Sequence, residues 1–263
     1  MTTQDLTTTT TNSIDLVEHH IARPEKVRWI FPQSPDILAN MKSKGLRSFL
    51  ARIEDVFTEQ HITWKHLPMT RESFSEWLVY YAQKMQEQDH DVIATLDWFD
   101  EKRAEKKDVS GFFFYKNDQP IGSAIQVMAT DSVSLAFKAS ERIELSSRGN
   151  SNLGSAIEYI FLKEAIATGK IVSSGTSRNA FGVINNFGYL DFKLRFGYQP
   201  EPNMKYDLLN SVPIDEQGVV AFFGLDQNQK GGFYVLHKPT ADIKIVTEIL
   251  QRTSLPVHTI VLP

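Results

Sequence analysis

The residues best suited to group-transfer chemistry fall between Arg148 and Pro200. A polar loop, Ser146-Ser147-Arg148-Gly149-Asn150-Ser151-Asn152, opens into an apolar helix beginning at Leu153. A helix start presents free N–H groups and the positive end of the helix dipole, which suit a phosphate or another anion. Small residues at Gly149, Ser151, Gly154 and Ser155 would let such a ligand approach the backbone. Arg148, Arg178, Lys193 and Arg195 add positive charge to a chain whose formal net charge is -4. Arg178 and Arg195 could hold phosphate or carboxylate in two-pronged fashion, or form surface salt bridges. Tyr189 could protonate a leaving group, or pack as an aromatic beside a glycine turn. Glu158 could act as a base if its apolar helix buries it, or it could occupy that helix's one exposed position. The same set also describes a capped core helix with ordinary surface cations.

These residues need elements to hold them. Val27 to Phe31 reads as a strand, and Leu46, Phe49, Leu50, Ile53, Val56 and Phe57 recur at helical spacing. Thr70 is a candidate cap for a helix carrying Phe74, Trp77, Leu78, Tyr81 and Met85 on one face. A further helix is expected over Val92 to Lys106. Gly111–Lys116, Ile121–Ala129 and Ser132–Ala139 then read as an antiparallel meander. A helix from Leu153 to Thr168, apolar nearly all round, leads into a strand at Ile171–Ser174. Val219–Phe223 and Phe233–His237 read as a hairpin, Ile243–Gln251 as a helix and Val257–Leu262 as a last strand. This order is α+β, with a mixed, mostly antiparallel central sheet flanked by helices. Seven of the first eleven residues are Thr. Such a tract buries little, so residues 1–24 are expected to be a disordered tail and 25–263 a single domain.

The order of strand meander, loop, central helix, strand, short helix and closing hairpin resembles the Gcn5-related N-acetyltransferase fold. Ser174-Gly175-Thr176-Ser177-Arg178, followed by Leu190-Asp191-Phe192-Lys193-Leu194-Arg195-Phe196-Gly197, is similar to the FemAB-like acyltransferases within it. The resemblance implies that Lys193 stabilises the oxyanion of a tetrahedral acyl-transfer intermediate. It also implies a short helix in this stretch, although Leu190, Phe192, Leu194, Phe196 and Tyr198 alternate with Asp191, Lys193 and Arg195 as a strand would. Arg148-Gly149-Asn150-Ser151-Asn152-Leu153-Gly154 departs from the usual acetyl-coenzyme A pyrophosphate signature. The candidate set is therefore Lys193, Tyr189 and Glu158 for catalysis. Arg148, Gly149, Asn150, Ser151, Asn152, Gly154, Ser177, Arg178 and Arg195 form the donor-binding set.

The leading function is N-acyl transfer from an acyl-CoA, or from another thioester such as acyl carrier protein, to a small-molecule or peptide amine. The donor is a co-substrate and no tightly bound cofactor is expected. The alternatives are an aminoacyl-tRNA-dependent aminoacyltransferase and a non-catalytic acyltransferase-like binding module. The acidic balance gives no global field for DNA. There is no cysteine, which excludes a thiolate nucleophile and a thiolate metal site, and the seven His lack metal-ligand spacing. No run approaches a membrane span, and the N-terminal stretch is not a signal peptide, so a cytoplasmic protein is expected. Ser173, Ser174 and Ser177 lie outside any nucleophile elbow and read as strand-end hydrogen-bonding groups.

Overall fold

A computed structural model describes residues 12–146 and 151–263. The whole Thr run, with Arg148, Gly149 and Asn150, lies outside them. The chain forms two compact units, one from Ile30 to Gly175 and one from the segments up to Trp29 and from Thr176 onward. The sequence reading expected one. The chain passes between them within the strands Lys26–Phe31 and Ile171–Arg178.

In the Ile30–Gly175 unit, Ile62–Pro68, Asp108–Lys116, Gln119–Met128 and Ser132–Ser140 are successive antiparallel neighbours. Ile171–Arg178 then joins Ser132–Ser140 in parallel, Ser132 opposite Ile171. The sheet is thus mixed and mostly antiparallel, and the unit is α+β, as the element order indicates. Asn117 and Asp118 make the tight first turn with φ of 49° and 63°, the left-handed pair that a two-residue hairpin needs. The parallel step needs a crossover, supplied by the Leu153–Ala167 helix.

Alternation along Gln119–Met128 sends side chains to two covered faces. On one, Ile125 and Val127 join Phe74, Trp77 and Tyr81 of the Arg71–Glu87 helix and Phe99 of the Leu96–Ala104 helix. On the other, Gly122 meets the Leu153–Ala167 helix. A Cβ at Gly122 would stand 2.7 Å from Ile157 Cδ1, so the missing side chain lets the helix approach. That helix is buried at Leu153, Ala156, Ile157, Ile160, Phe161 and Leu162.

Caps explain where the expected helices were misplaced. Thr95 accepts from Trp98 N and starts its helix at Leu96 rather than Val92. The helical spacing over 46–57 resolves into two helices, Lys44–Leu50 and Ile53–Glu59. Ile62–Pro68 is an edge strand. Met69 N donates to Val109 O and Asn117 N to His61 O, so the backbone groups of Ile62, Trp64, His66 and Pro68 point away from the sheet.

In the other unit, Val219–Leu225 and Gly231–His237 form the expected hairpin, and Val257–Val261 lies parallel to the second strand after the Lys244–Leu250 helix. One face of this sheet packs Val220, Phe222, Tyr234 and Leu236 against Leu16, Ile21, Val212 and Ile214. The expectation of a disordered 1–24 tail does not hold for its later half. Asn12–Asp15 pairs with Ser211–Ile214, and Arg23–Pro24 pairs with Leu208–Leu209. Leu16 and Ile21 join the apolar cluster of this unit, and Ile14 packs against it.

Candidate functional site

The contested stretch after Leu190 is a helix, Phe187–Phe196, as the resemblance implied. The alternating apolar residues also satisfy helical spacing, since Leu190 and Leu194 are four apart, and the ends decide between the two periods. Asn186 accepts a hydrogen bond from Tyr189 N at 2.7 Å. Gly197 ends the helix at φ 89°, a left-handed conformation that glycine adopts without penalty.

This helix places Lys193 inside the protein, only 4% exposed. Its Nζ lies 5.4 Å from the Tyr189 ring centre, 5.7 Å from Phe192 and 4.9 Å from Tyr198. Ring faces attract a cation most when it is desolvated. Lys193 is therefore not a solvated surface lysine; three aromatic rings surround its ammonium. Tyr189 is half-buried and packs against Trp29 and Phe181. Lys193 and Tyr189 are thus brought together, one helical turn apart.

Arg195, two positions after Lys193, is 9% exposed and lies 2.8 Å from Asp191 Oδ2. Arg252 lies 2.9 Å from the same carboxylate's Oδ1. Burial lowers the Arg195 pKa, although Asp191 pulls it upward. Arg195 is thus an ion-pair partner of Asp191. Ser177 accepts a hydrogen bond from the Trp29 indole at 3.0 Å, so its hydroxyl also braces the aromatic cluster. Arg178 is exposed, and its carbonyl accepts from Asn185 Nδ2.

In the Ile30–Gly175 unit, the start of the Leu153–Ala167 helix is occupied by the protein itself. Leu153 N donates to Ile143 O at 3.0 Å. Asn152 Oδ1 caps Ser155 N at 2.9 Å, and the buried Ser151 accepts from Leu145 N through its carbonyl at 2.7 Å. Gly154 O accepts from Lys138 at 3.3 Å. Among the described residues of the expected anion cradle, the amides of Leu153 and Ser155 thus have protein partners. Arg148, Gly149 and Asn150 lie outside those residues.

Glu158 is fully buried, not the helix's exposed position. Its Oε2 meets Lys138 Nζ at 2.7 Å and its Oε1 accepts from Ser174 Oγ at 2.5 Å. Reading the sequence missed Lys138 and Asp191. Asp191 and Arg195 stand four apart, a spacing that signals a helical ion pair only once the helix is accepted. Lys138 gave no such signal, because its partner is on another element. No group of three or more His, Asp or Glu that could hold a metal occurs among the described residues. No described helix is long and apolar enough to cross a membrane.

No family model and no curated protein matches the sequence. Solved structures are similar in part. One is titled FemX, at 13% identity and a TM-score of 0.48, covering 75% of this chain and 65% of that one. A conserved protein of unknown function from Bacteroides thetaiotaomicron gives 13% identity and 0.46, over 73% and 59%. The C-terminal domain of a putative lysylphosphatidylglycerol synthetase from Agrobacterium fabrum gives 10% and 0.39, over 73% and 60%. The chain spans less than two thirds of the length of each of these.

Proposed function

We propose that this protein is an acyltransferase on a Gcn5-related scaffold. It moves an acyl group from an activated donor to an amine, with Lys193 as the cation facing the developing oxyanion. The observation that carries this reading is the burial of Lys193 among Tyr189, Phe192 and Tyr198. An ammonium held out of water is worth more to a nascent negative charge than one in solvent. The amine attacks the acyl carbonyl carbon, the tetrahedral oxyanion collapses, the bond to the donor's leaving group breaks, and the proton that the amine nitrogen gives up restores the one the leaving group takes. Tyr189, on the same helix face, is placed to protonate that leaving group. Arg178, the exposed cation of the set among the described residues, is the contact for a donor phosphate.

The donor is an acyl thioester or an aminoacyl ester. One observation supports the second: the amides at Leu153 and Ser155 already have protein partners, so these two N–H groups are not open to a coenzyme A pyrophosphate. Lys193→Met tests the role. It keeps the length of the side chain and deletes the charge. Turnover should fall by about a hundred- to a thousand-fold with donor affinity retained, while Arg178→Met should raise the donor KM. Turnover of Lys193→Met within a few-fold of the parent would remove Lys193 from the reaction.

A further inference from the structure

The Ile30–Gly175 unit also joins a hydroxyl, an imidazole and a carboxylate in one line. His66 lies opposite Phe112 on the neighbouring strand, and Ser110 is two residues farther along the same face. Ser110 Oγ is 2.9 Å from His66 Nε2. The other ring nitrogen, Nδ1, is 4.0 Å from Glu164 Oε2 on the Leu153–Ala167 helix. The imidazole stacks on Phe112, with centroids 4.1 Å apart and planes at 12°, so its orientation is set by packing. The buried Gln126 aims its Nε2 at His66 Nε2 from 3.2 Å. The carboxylate near Nδ1 favours the tautomer with the proton on that nitrogen. Nε2 is then the acceptor that a base needs. Burial lowers the His66 pKa against the opposing pull of Glu164, which keeps the ring neutral near pH 7. The His66 side chain is 29% exposed and Ser110 is half-buried.

We propose that Ser110 is a nucleophile, with His66 as its general base and Glu164 as the residue that orients the base, and that it accepts an acyl group from an activated carboxylic ester. This reaction is separate from the one proposed for Lys193. Ser110 Oγ attacks the ester carbonyl carbon while its proton passes to His66 Nε2. The carbonyl carbon–oxygen bond to the alcohol breaks, and the leaving oxygen takes that proton. The product is an acyl ester of Ser110, which water cleaves by the same route, returning the carboxylic acid. The arrangement puts nucleophile and base within hydrogen-bond reach, and Glu164, 4.0 Å from Nδ1, acts on the ring through its charge.

The test uses the full chain and p-nitrophenyl acetate, with p-nitrophenolate release followed by its colour and the acetyl adduct mapped by peptide mass spectrometry. The adduct is expected on Ser110, and it should vanish in Ser110→Ala. His66→Gln should slow the reaction by about a hundred-fold or more, the usual scale of a general base. Glu164→Gln alters an exposed carboxylate and should leave the fold unchanged while slowing acetylation several-fold. An adduct confined to lysines, or equal rates in the parent and in His66→Gln, would overturn the proposal.

Discussion

Replacing Lys138 by Met should destabilise the Ile30–Gly175 unit through a residue that lies on none of its large apolar clusters. Glu158 has no exposed surface and depends on Lys138 at 2.7 Å and Ser174 at 2.5 Å. Removing one member of a buried ion pair leaves a charge without its counterion and costs about 3–5 kcal/mol. The Lys138 side chain keeps 24% of its exposure, and the Ser174 hydroxyl stays in place. Both facts put the expected cost at the low end, about 3 kcal/mol. For a protein of this size that is a fall in Tm of about 6–12 °C. The double variant Lys138→Met/Glu158→Leu removes both charges and should recover most of the loss, because two matched apolar side chains replace a pair that was costly to desolvate. Thermal unfolding followed by circular dichroism on the parent, both single variants and the double variant closes the cycle. A single variant melting within 2 °C of the parent, or a double variant no better than the single, would refute the argument that the pair is coupled and buried.

Two further outcomes follow from particular residues. A chain starting at Leu16 should melt several degrees below one starting at Asn12, because it lacks the strand paired with Ser211–Ile214; equal Tm values in differential scanning calorimetry would show that this pairing contributes little. Burial lowers the His66 pKa in the folded chain, so as pH falls the unfolded chain binds that proton first, and stability should drop from about pH 6.5 downward until the folded ring protonates too. Urea titrations at pH 7.5 and 5.5 should show a smaller loss in His66→Gln than in the parent, and identical losses would contradict the lowered pKa.

Local signals made the scaffold legible. Thr70 announces its helix by composition, and the structure gives it a full capping box with Ser73. The meander is written in the turn residues Asn117 and Asp118, whose positive φ values the hairpin requires. What was hidden depended on partners far along the chain. The strands Asn12–Asp15 and Arg23–Pro24 are short and polar in part, and they form because Ser211–Ile214 and Leu208–Leu209 meet them. At the candidate site, the type and position of Lys193 were legible, but its burial was not. Leu190–Tyr198 fits a strand period, and only Asn186 and Gly197 settle the helix that carries Lys193 inward. Glu158 was readable as a carboxylate on an apolar helix, yet its counterion is on a strand twenty residues earlier, where no periodicity points to it.

Pro68 bears on how the molecule behaves in a crowded solution. It closes the edge strand Ile62–Pro68 at a position whose backbone faces away from Asp108–Lys116. The sheet therefore loses nothing by having a residue without an N–H there, while an incoming strand would find no donor at that position. Exposed Lys65 beside it adds a charge that a stacking chain would have to desolvate. A sheet whose next strand, Asp108–Lys116, carries Phe112, Phe113 and Phe114 in a row is a ready template for aggregation, and these two neighbours at its border limit further growth.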